Sequence, residues 1–125
     1  MTLTCPHCRK KIRLRQKHPY HAGFSNRAFL YCDSCASILL FGSYNPRYTG
    51  IVGQKHPWML SPAEKERVES RLKPCPCGGR FRFDAHPRCP HCGGDLQTLV
   101  PDEMHFIETG DVVDADKEDG AWLEA

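Results

Sequence analysis

Eight cysteines are set along this chain as four close pairs: Cys5-Pro-His-Cys8, Cys32-Asp-Ser-Cys35, Cys75-Pro-Cys77 and Cys89-Pro-His-Cys92. In a C-x-x-C turn two thiolates can be aimed at one ion while nearby backbone N–H groups bond to the sulfurs. Two such turns complete the tetrahedron that zinc prefers. Gly78-Gly79 and Gly93-Gly94 follow the last two pairs, where glycine supplies the positive φ that a knuckle needs at its exit. Two structural Zn²⁺ ions are therefore the expected cofactors. Sequential pairing closes the shortest loops. It puts Cys5, Cys8, Cys32 and Cys35 in site one and Cys75, Cys77, Cys89 and Cys92 in site two. A cross-braced arrangement, first pair with third, stays open. A disulfide scaffold and a four-cysteine iron site are the competing readings of the same residues.

The knuckles resemble those of the zinc-ribbon and rubredoxin-like group, and Cys89-Pro-His-Cys92-Gly93 is close to that group's consensus. The resemblance covers the metal sites, about half the chain, and implies metal and fold but no activity, because ribbons serve many unrelated proteins. Cys75-Pro-Cys77 is one residue shorter than the group's spacing. His7 and His91 lie inside two of the knuckles, where the intervening residues are expected to point away from the metal. His18, His21, His56, His86 and His105 have no partners at metal-ligand spacing.

The elements around the pairs follow from pattern. Lys11 to Arg15 alternates basic and apolar residues, a strand with Lys11, Arg13 and Arg15 on one face and Ile12 and Leu14 on the other. Ala28–Tyr31 and Ser37–Phe41 read as strands into and out of the second knuckle, the latter continuously apolar. Tyr44 to Pro57 reads as irregular. Ser61-Pro62-Ala63-Glu64 is a capping box with proline at the first helical position, opening a helix to about Leu72 with Val68 and Leu72 as its apolar stripe. Arg80 to Phe83 alternates basic and aromatic residues. Met104–Ile107 and Val112-Val113 have room to form a short hairpin. The expected fold is small, metal-stabilised and mainly β: a zinc-ribbon-like module over 1–60, a linking helix over 61–73, a second module over 74–100, and an acidic tail over 101–125.

Charge is strongly polarised. Residues 1–60 hold nine Lys/Arg and one acid, Asp33, whereas residues 101–125 hold Lys117 and nine acids. Basic residues mixed with aromatics suit single-stranded nucleic acid, and Lys11, Arg13, Arg15, Lys17, Tyr20 and Arg27 are the candidate contacts. Trp122 and Leu123 are candidate anchors that would dock the acidic tail over that basic face. Four thiolates leave zinc no open position, and no P-loop, G-x-S-x-G or deaminase motif is present, so no catalytic residue and no small-molecule substrate is expected. The expectation is a non-enzymatic binding module for a macromolecular, anionic partner. A protein-protein adaptor or antitoxin-like inhibitor is the alternative, and an iron-loaded electron carrier the third class. With no apolar segment ahead of Cys5 and no run near the roughly 18 residues that span a bilayer, a reducing cytoplasm and no membrane are expected.

Overall fold

The computed structural model describes residues 2–16, 27–96, 105–107, 112–117 and 119–123. Its strands form two sheets. In the first, β1 (Thr2–Thr4), β2 (Lys11–Gln16) and β6 (His105–Ile107) lie in the order β1-β2-β6, all antiparallel. In the second, β3 (Arg27–Cys32), β4 (Ile38–Gly42), β5 (Phe81–Arg82) and β7 (Val112–Asp114) lie in the order β5-β3-β4-β7. The β3–β4 hairpin runs across the second knuckle, from Tyr31↔Ile38 to Arg27↔Gly42. β7 then joins β4 in parallel, with Ile38↔Val112 and Leu40↔Asp114.

The apolar run of β4 is matched by its environment: Ile38, Leu39, Leu40 and Phe41 are all buried, as a central strand covered on both faces requires. Helix α2 (Pro62–Ser70) carries the full capping box. Ser61 Oγ accepts from Glu64 N at 3.2 Å, and Ser61 N donates to Glu64 Oε1 at 3.1 Å. Its Val68 and the following Leu72 are buried, so the narrow stripe is the packed face.

A second helix, α1 (Pro46–Val52), occupies the stretch expected to be irregular. Asn45 caps it through Oδ1, which accepts from Arg47 N at 3.0 Å and Tyr48 N at 3.3 Å, with Pro46 at the first helical position. The Asn-Pro signal was present in the sequence. β-Branched and aromatic residues around Gly50 hid it, since they lower helix propensity. Burial of Tyr48 and Val52 overrides that deficit.

The C-terminal region also departs from expectation. β6 and β7 do not pair with each other but join different sheets. Of its described parts, β6 pairs along the edge of the basic strand β2, whereas residues 112–117 and 119–123 pack as core elements of the second sheet. Asp116 accepts from Gly42 N at 2.8 Å and from Asn45 Nδ2 at 2.7 Å, and Ala115 N donates to Leu40 O at 2.8 Å. Leu72 and Trp122 form an antiparallel bridge. Trp122 is buried and its ring lies 5.2 Å from Phe41, which lies 5.0 Å from Tyr48. Leu123, expected to anchor beside it, is exposed.

Two cores result. The larger gathers Ala28, Leu30, Leu39, Phe41, Tyr48, Leu60, Val68, Leu72, Phe81 and Trp122 with Cys32 and Cys75. The smaller holds Cys5, Ile12, Cys89 and Leu96, with Cys8 packed against it. Replacing Trp122 with Ala should cost about 3–5 kcal/mol, the usual range for a fully buried large aromatic. With exposed Trp58 changed to Phe, the remaining emission should be blue-shifted and move red only when urea unfolds the larger core. Emission at the water position in native buffer would contradict this packing.

Candidate metal centres

The four pairs of cysteines meet in a nested order. Cys5 and Cys8 join Cys89 and Cys92, and Cys32 and Cys35 join Cys75 and Cys77, with the four sulfurs of each group within 4.8 Å of one another. The two sites as paired from the sequence, Cys5–Cys8 with Cys32–Cys35 and Cys75–Cys77 with Cys89–Cys92, are not brought together. Nor is the cross-brace, since the first pair meets the fourth and the second meets the third. The physical reason is the weak length dependence of loop closure. Nesting lengthens the closed loops about 3.5-fold, which costs only about 1 kcal/mol per site. The antiparallel pairing of β3 with β4 and of β3 with β5 outweighs this.

Each tetrad can hold one metal ion. Sulfur pairs that meet across the knuckles are Cys5–Cys92 and Cys8–Cys89 at 3.7 Å in the outer tetrad. In the inner one they are Cys32–Cys77 at 3.5 Å and Cys35–Cys75 at 3.6 Å. A tetrahedron with metal–sulfur bonds of about 2.3 Å has edges of about 3.8 Å, so one four-coordinate ion fits each group. These separations are far beyond a disulfide bond of about 2.05 Å, and all eight cysteines are free. Burial repeats between the tetrads. In each, the first cysteine of both knuckles is buried, and one second cysteine is half-buried and the other exposed.

The knuckles explain how sequence sets this geometry. Backbone N–H groups donate to sulfur at 3.4 Å from Ser34 to Cys32, Ser37 to Cys35, Gly79 to Cys77 and His91 to Cys89. The outer knuckles are twins: Arg9 N donates to Cys5 O at 2.8 Å and Gly93 N to Cys89 O at 2.8 Å. The residue after the second cysteine takes positive φ in both, Gly93 at 75° and Arg9 at 63°. The shorter Cys75-Pro-Cys77 turn closes one residue earlier, Gly78 N to Cys75 O at 2.9 Å, with Gly78 at φ 96°. It is a tighter turn that still delivers both sulfurs.

Contacts between knuckles hold each pair in register. A Cβ on Gly79 would lie 2.7 Å from Asp33 Oδ1 and 2.8 Å from Cys32 Sγ, so the third knuckle docks against the second only through glycine. Asp33 Oδ1 accepts from Arg80 N at 2.9 Å and from Ser34 Oγ at 2.9 Å, and these bonds hold its carboxyl below the usual carboxylate range. In the outer pair, His7 lies over Gly94 with Nε2 3.3 Å from Asp95 O. His7 and His91 are in neither tetrad. His56 bonds to Ser43 at 2.9 Å and His86 to Asp95 at 2.8 Å.

Without metal, the thiols of a tetrad compete for protons. Burial pushes Cys5 up, but N–H groups of Cys8 and His7 and the neighbouring sulfurs outweigh it, leaving the thiol lowered to about 6. In the inner tetrad Cys35 is lowered to about 7, where bonds to Ser37 overcome burial, and burial pushes Cys32 up to about 12. One thiolate in each tetrad is therefore ready near neutral pH. A metal must displace protons from others, so its affinity falls as pH falls.

The remaining candidate residues are less gathered. Lys11 and Arg13 are exposed on β2 with Ile12 buried between them. Lys17 and Tyr20 lie outside the described residues, as do the side chains of Arg15 and Arg27. No helix among the described residues is long and apolar enough to cross a membrane.

The nested order yields a sharp expectation. Cys5→Ser and Cys89→Ser should each empty the same site, leaving one metal per chain and melting 2–16 with 86–96, whose core is little more than Ile12, Leu96 and cysteine. The β3–β4 sheet and α2 should keep their amide protection. Metal analysis and hydrogen exchange test this, and loss of protection in β3 from either variant would contradict it. Separately, Arg9→Gly should stabilise the outer knuckle by about 1 kcal/mol by relieving a positive φ. Arg9→Val should weaken it. A chelator competition on the two variants reads the order, and equal metal retention would refute the strain.

A family model described as Domain of unknown function (DUF8255) matches residues 1–98. Neither a curated protein nor a solved structure matches the chain. That match spans both metal centres and well over half of the sequence, and the chain belongs to the DUF8255 family.

Proposed function

We propose that the chain is a non-enzymatic, zinc-stabilised binding module that docks an anionic macromolecule, single-stranded nucleic acid foremost, on the basic surface around the outer tetrad. Zinc is the metal of choice because four thiolates per site in knuckles with N–H···S bonds match structural zinc, and saturated coordination leaves no position for a substrate. The observation that carries the reading is local charge. Residues 2–16 and 86–96, which build the outer centre, hold six Lys/Arg and one acid, Asp95. Subtracting about two charges for a zinc bound by four thiolates still leaves a positive surface, and Arg9, Lys10, Lys11 and Arg13 are exposed on it.

Aromatics contribute less than their number suggests. Phe41 and Tyr48 are core residues, whereas Tyr44 and Trp58 are 79% and 55% exposed. Trp58 and its neighbour Met59, 52% exposed, favour a second reading in which an apolar protein surface docks there and the chain is an adaptor.

The two readings separate in one experiment. Lys11, Arg13 and Arg15 are changed together to Ser in the zinc-loaded protein, and binding to a single-stranded oligonucleotide is followed against salt. The plot of log affinity against log salt should flatten by about 2 units, the loss expected for three phosphate contacts on a single strand. Thermal stability should change little at Lys11 and Arg13, since these exposed charges contribute little. An unchanged slope would remove β2 from the binding surface and leave the adaptor reading.

A further inference from the structure

Each tetrad has one exposed cysteine, Cys77 in the inner group and Cys92 in the outer one. We propose that the outer tetrad is an oxidation site for hydroperoxides, in which Cys92 takes the oxidant, Cys5 is its resolving thiol, and the metal ion held there is ejected. The inference rests on the zinc-loaded state proposed above and is independent of the nucleic-acid reading.

A cysteine bound to zinc is a thiolate, and thiolate character together with exposure decides which sulfur meets an oxidant. Cys92 combines the two, and Pro90 and His91 before it are exposed as well. Its sulfur lies 3.7 Å from that of Cys5, which is fully buried. In the first step the Cys92 thiolate attacks one oxygen of the peroxide. An S–O bond forms, the O–O bond breaks and hydroxide or alkoxide leaves, so Cys92 becomes a sulfenic acid. In the second step the Cys5 thiolate attacks that sulfur, an S–S bond forms, and the S–O bond breaks to release hydroxide. The two sulfurs give up two electrons in total to the peroxide, and the two leaving oxyanions take their protons from solvent. Cys8 and Cys89 remain, two ligands where the site needs four. A resolving thiol within reach also ends the oxidation at the reversible disulfide, ahead of the irreversible acids.

The inner tetrad has the same exposed position but is held differently. Its knuckles are joined by the strand pairs Tyr31↔Arg82 and Cys32↔Phe81, by Asp33 N to Arg80 O at 3.0 Å, and by Arg80 N to Asp33 Oδ1 at 2.9 Å. Cys32 and Cys75 also belong to the larger core with Phe41 and Trp122. Drawing Cys32 and Cys77 from 3.5 Å to a disulfide bond of about 2.05 Å works against all of these contacts. Among the described residues, the outer knuckles meet through His7 Nε2 on Asp95 O at 3.3 Å and through a core of Ile12 and Leu96 with cysteine. That smaller packing leaves Cys5 and Cys92 freer to close. The disulfide then puts a single link where the ion had four ligands, and the loosening falls on Ile12 and so on the strand that carries Lys11 and Arg13.

The test treats the zinc-loaded full chain with hydrogen peroxide while a metallochromic dye reads free zinc, and the product is digested and its cross-links mapped by mass spectrometry. One of the two ions should be released, with a peptide joined through Cys5 and Cys92, and dithiothreitol with added zinc should restore it. Amide protection should fall in residues 2–16 and 86–96 and persist in β3, β4 and α2. Ile12→Val, in the outer core, should speed release about two- to tenfold, the effect of a lost buried methylene where release passes through opening of that core. Val68→Ala, in the larger core, should leave the rate unchanged. Fewer than two zinc ions before peroxide would sink the zinc reading and this inference with it. With two ions present at the start, four outcomes would overturn the oxidation site alone: retention of both ions, release from the inner tetrad first, a Cys89–Cys92 bond in place of Cys5–Cys92, or a release rate indifferent to Ile12→Val.

Discussion

The constraint on which the rest of the fold turns is that knuckles from distant parts of the chain meet in two cysteine tetrads, each able to hold one metal ion. The outer tetrad ties Cys5 and Cys8 to Cys89 and Cys92, and the inner one ties Cys32 and Cys35 to Cys75 and Cys77. The order of closure matters. Once the inner tetrad and the β3–β4–β5 pairings have formed, the segment between the outer knuckles is already folded back on itself. The entropy left to remove for the outer site is then smaller than its length suggests. A structural zinc in such a tetrad would supply about 10–16 kcal/mol of apparent binding energy, which exceeds any such difference. A metal ion in each tetrad would staple a topology that the strand pairing selects.

The two centres differ in what they support. The inner tetrad borders a core with Phe41, Tyr48, Leu72 and Trp122, large enough to keep its shape by packing. The outer core has only Ile12 and Leu96 besides cysteine, and a cluster that small rarely holds without a staple. Packing is thus graded along the molecule, and the exposed Lys10, Lys11 and Arg13 sit on the part with the smaller core. A metal ion in the outer tetrad would therefore couple its own occupancy to the presentation of those side chains.

Local rules were legible in the sequence and long-range ones were not. Cysteine spacing identified all eight thiols, alternation placed β2, and the capping box fixed the start of α2, because each is a contact among residues a few positions apart. The Cys75-Pro-Cys77 irregularity was visible too, and the one-residue-earlier closure at Gly78 explains it. Pairing of knuckles was not legible, because identical C-P-H-C turns carry no mark of their partner, and loop length discriminates too weakly. In hindsight the twin sequences did hold a hint, since the two C-P-H-C knuckles are the pair that meet. Acidity misled in the C-terminal region: Asp116 is there to accept from Gly42 N and Asn45, which a charge count cannot distinguish from a solvated end.

That region also sets the limit of the matched family segment. Residues 1–98 contain both tetrads and both helices. Yet by themselves they leave β4 without its parallel neighbour and Phe41 and Leu72 without Trp122 against them. An exposed edge on an apolar central strand is a liability that proteins cover. Here β7 covers it, and the chain beyond β7 returns to place Trp122 between the β4 sheet and α2. The same return lays Leu123 beside Arg47 and Arg71. Closing the core and tying α1 to the end of α2 are therefore consequences of one structural act, the docking of residues 112–117 and 119–123. Any chain carrying the two metal centres without such a segment would need another element to cover β4, and would present a different surface at the ends of α1 and α2.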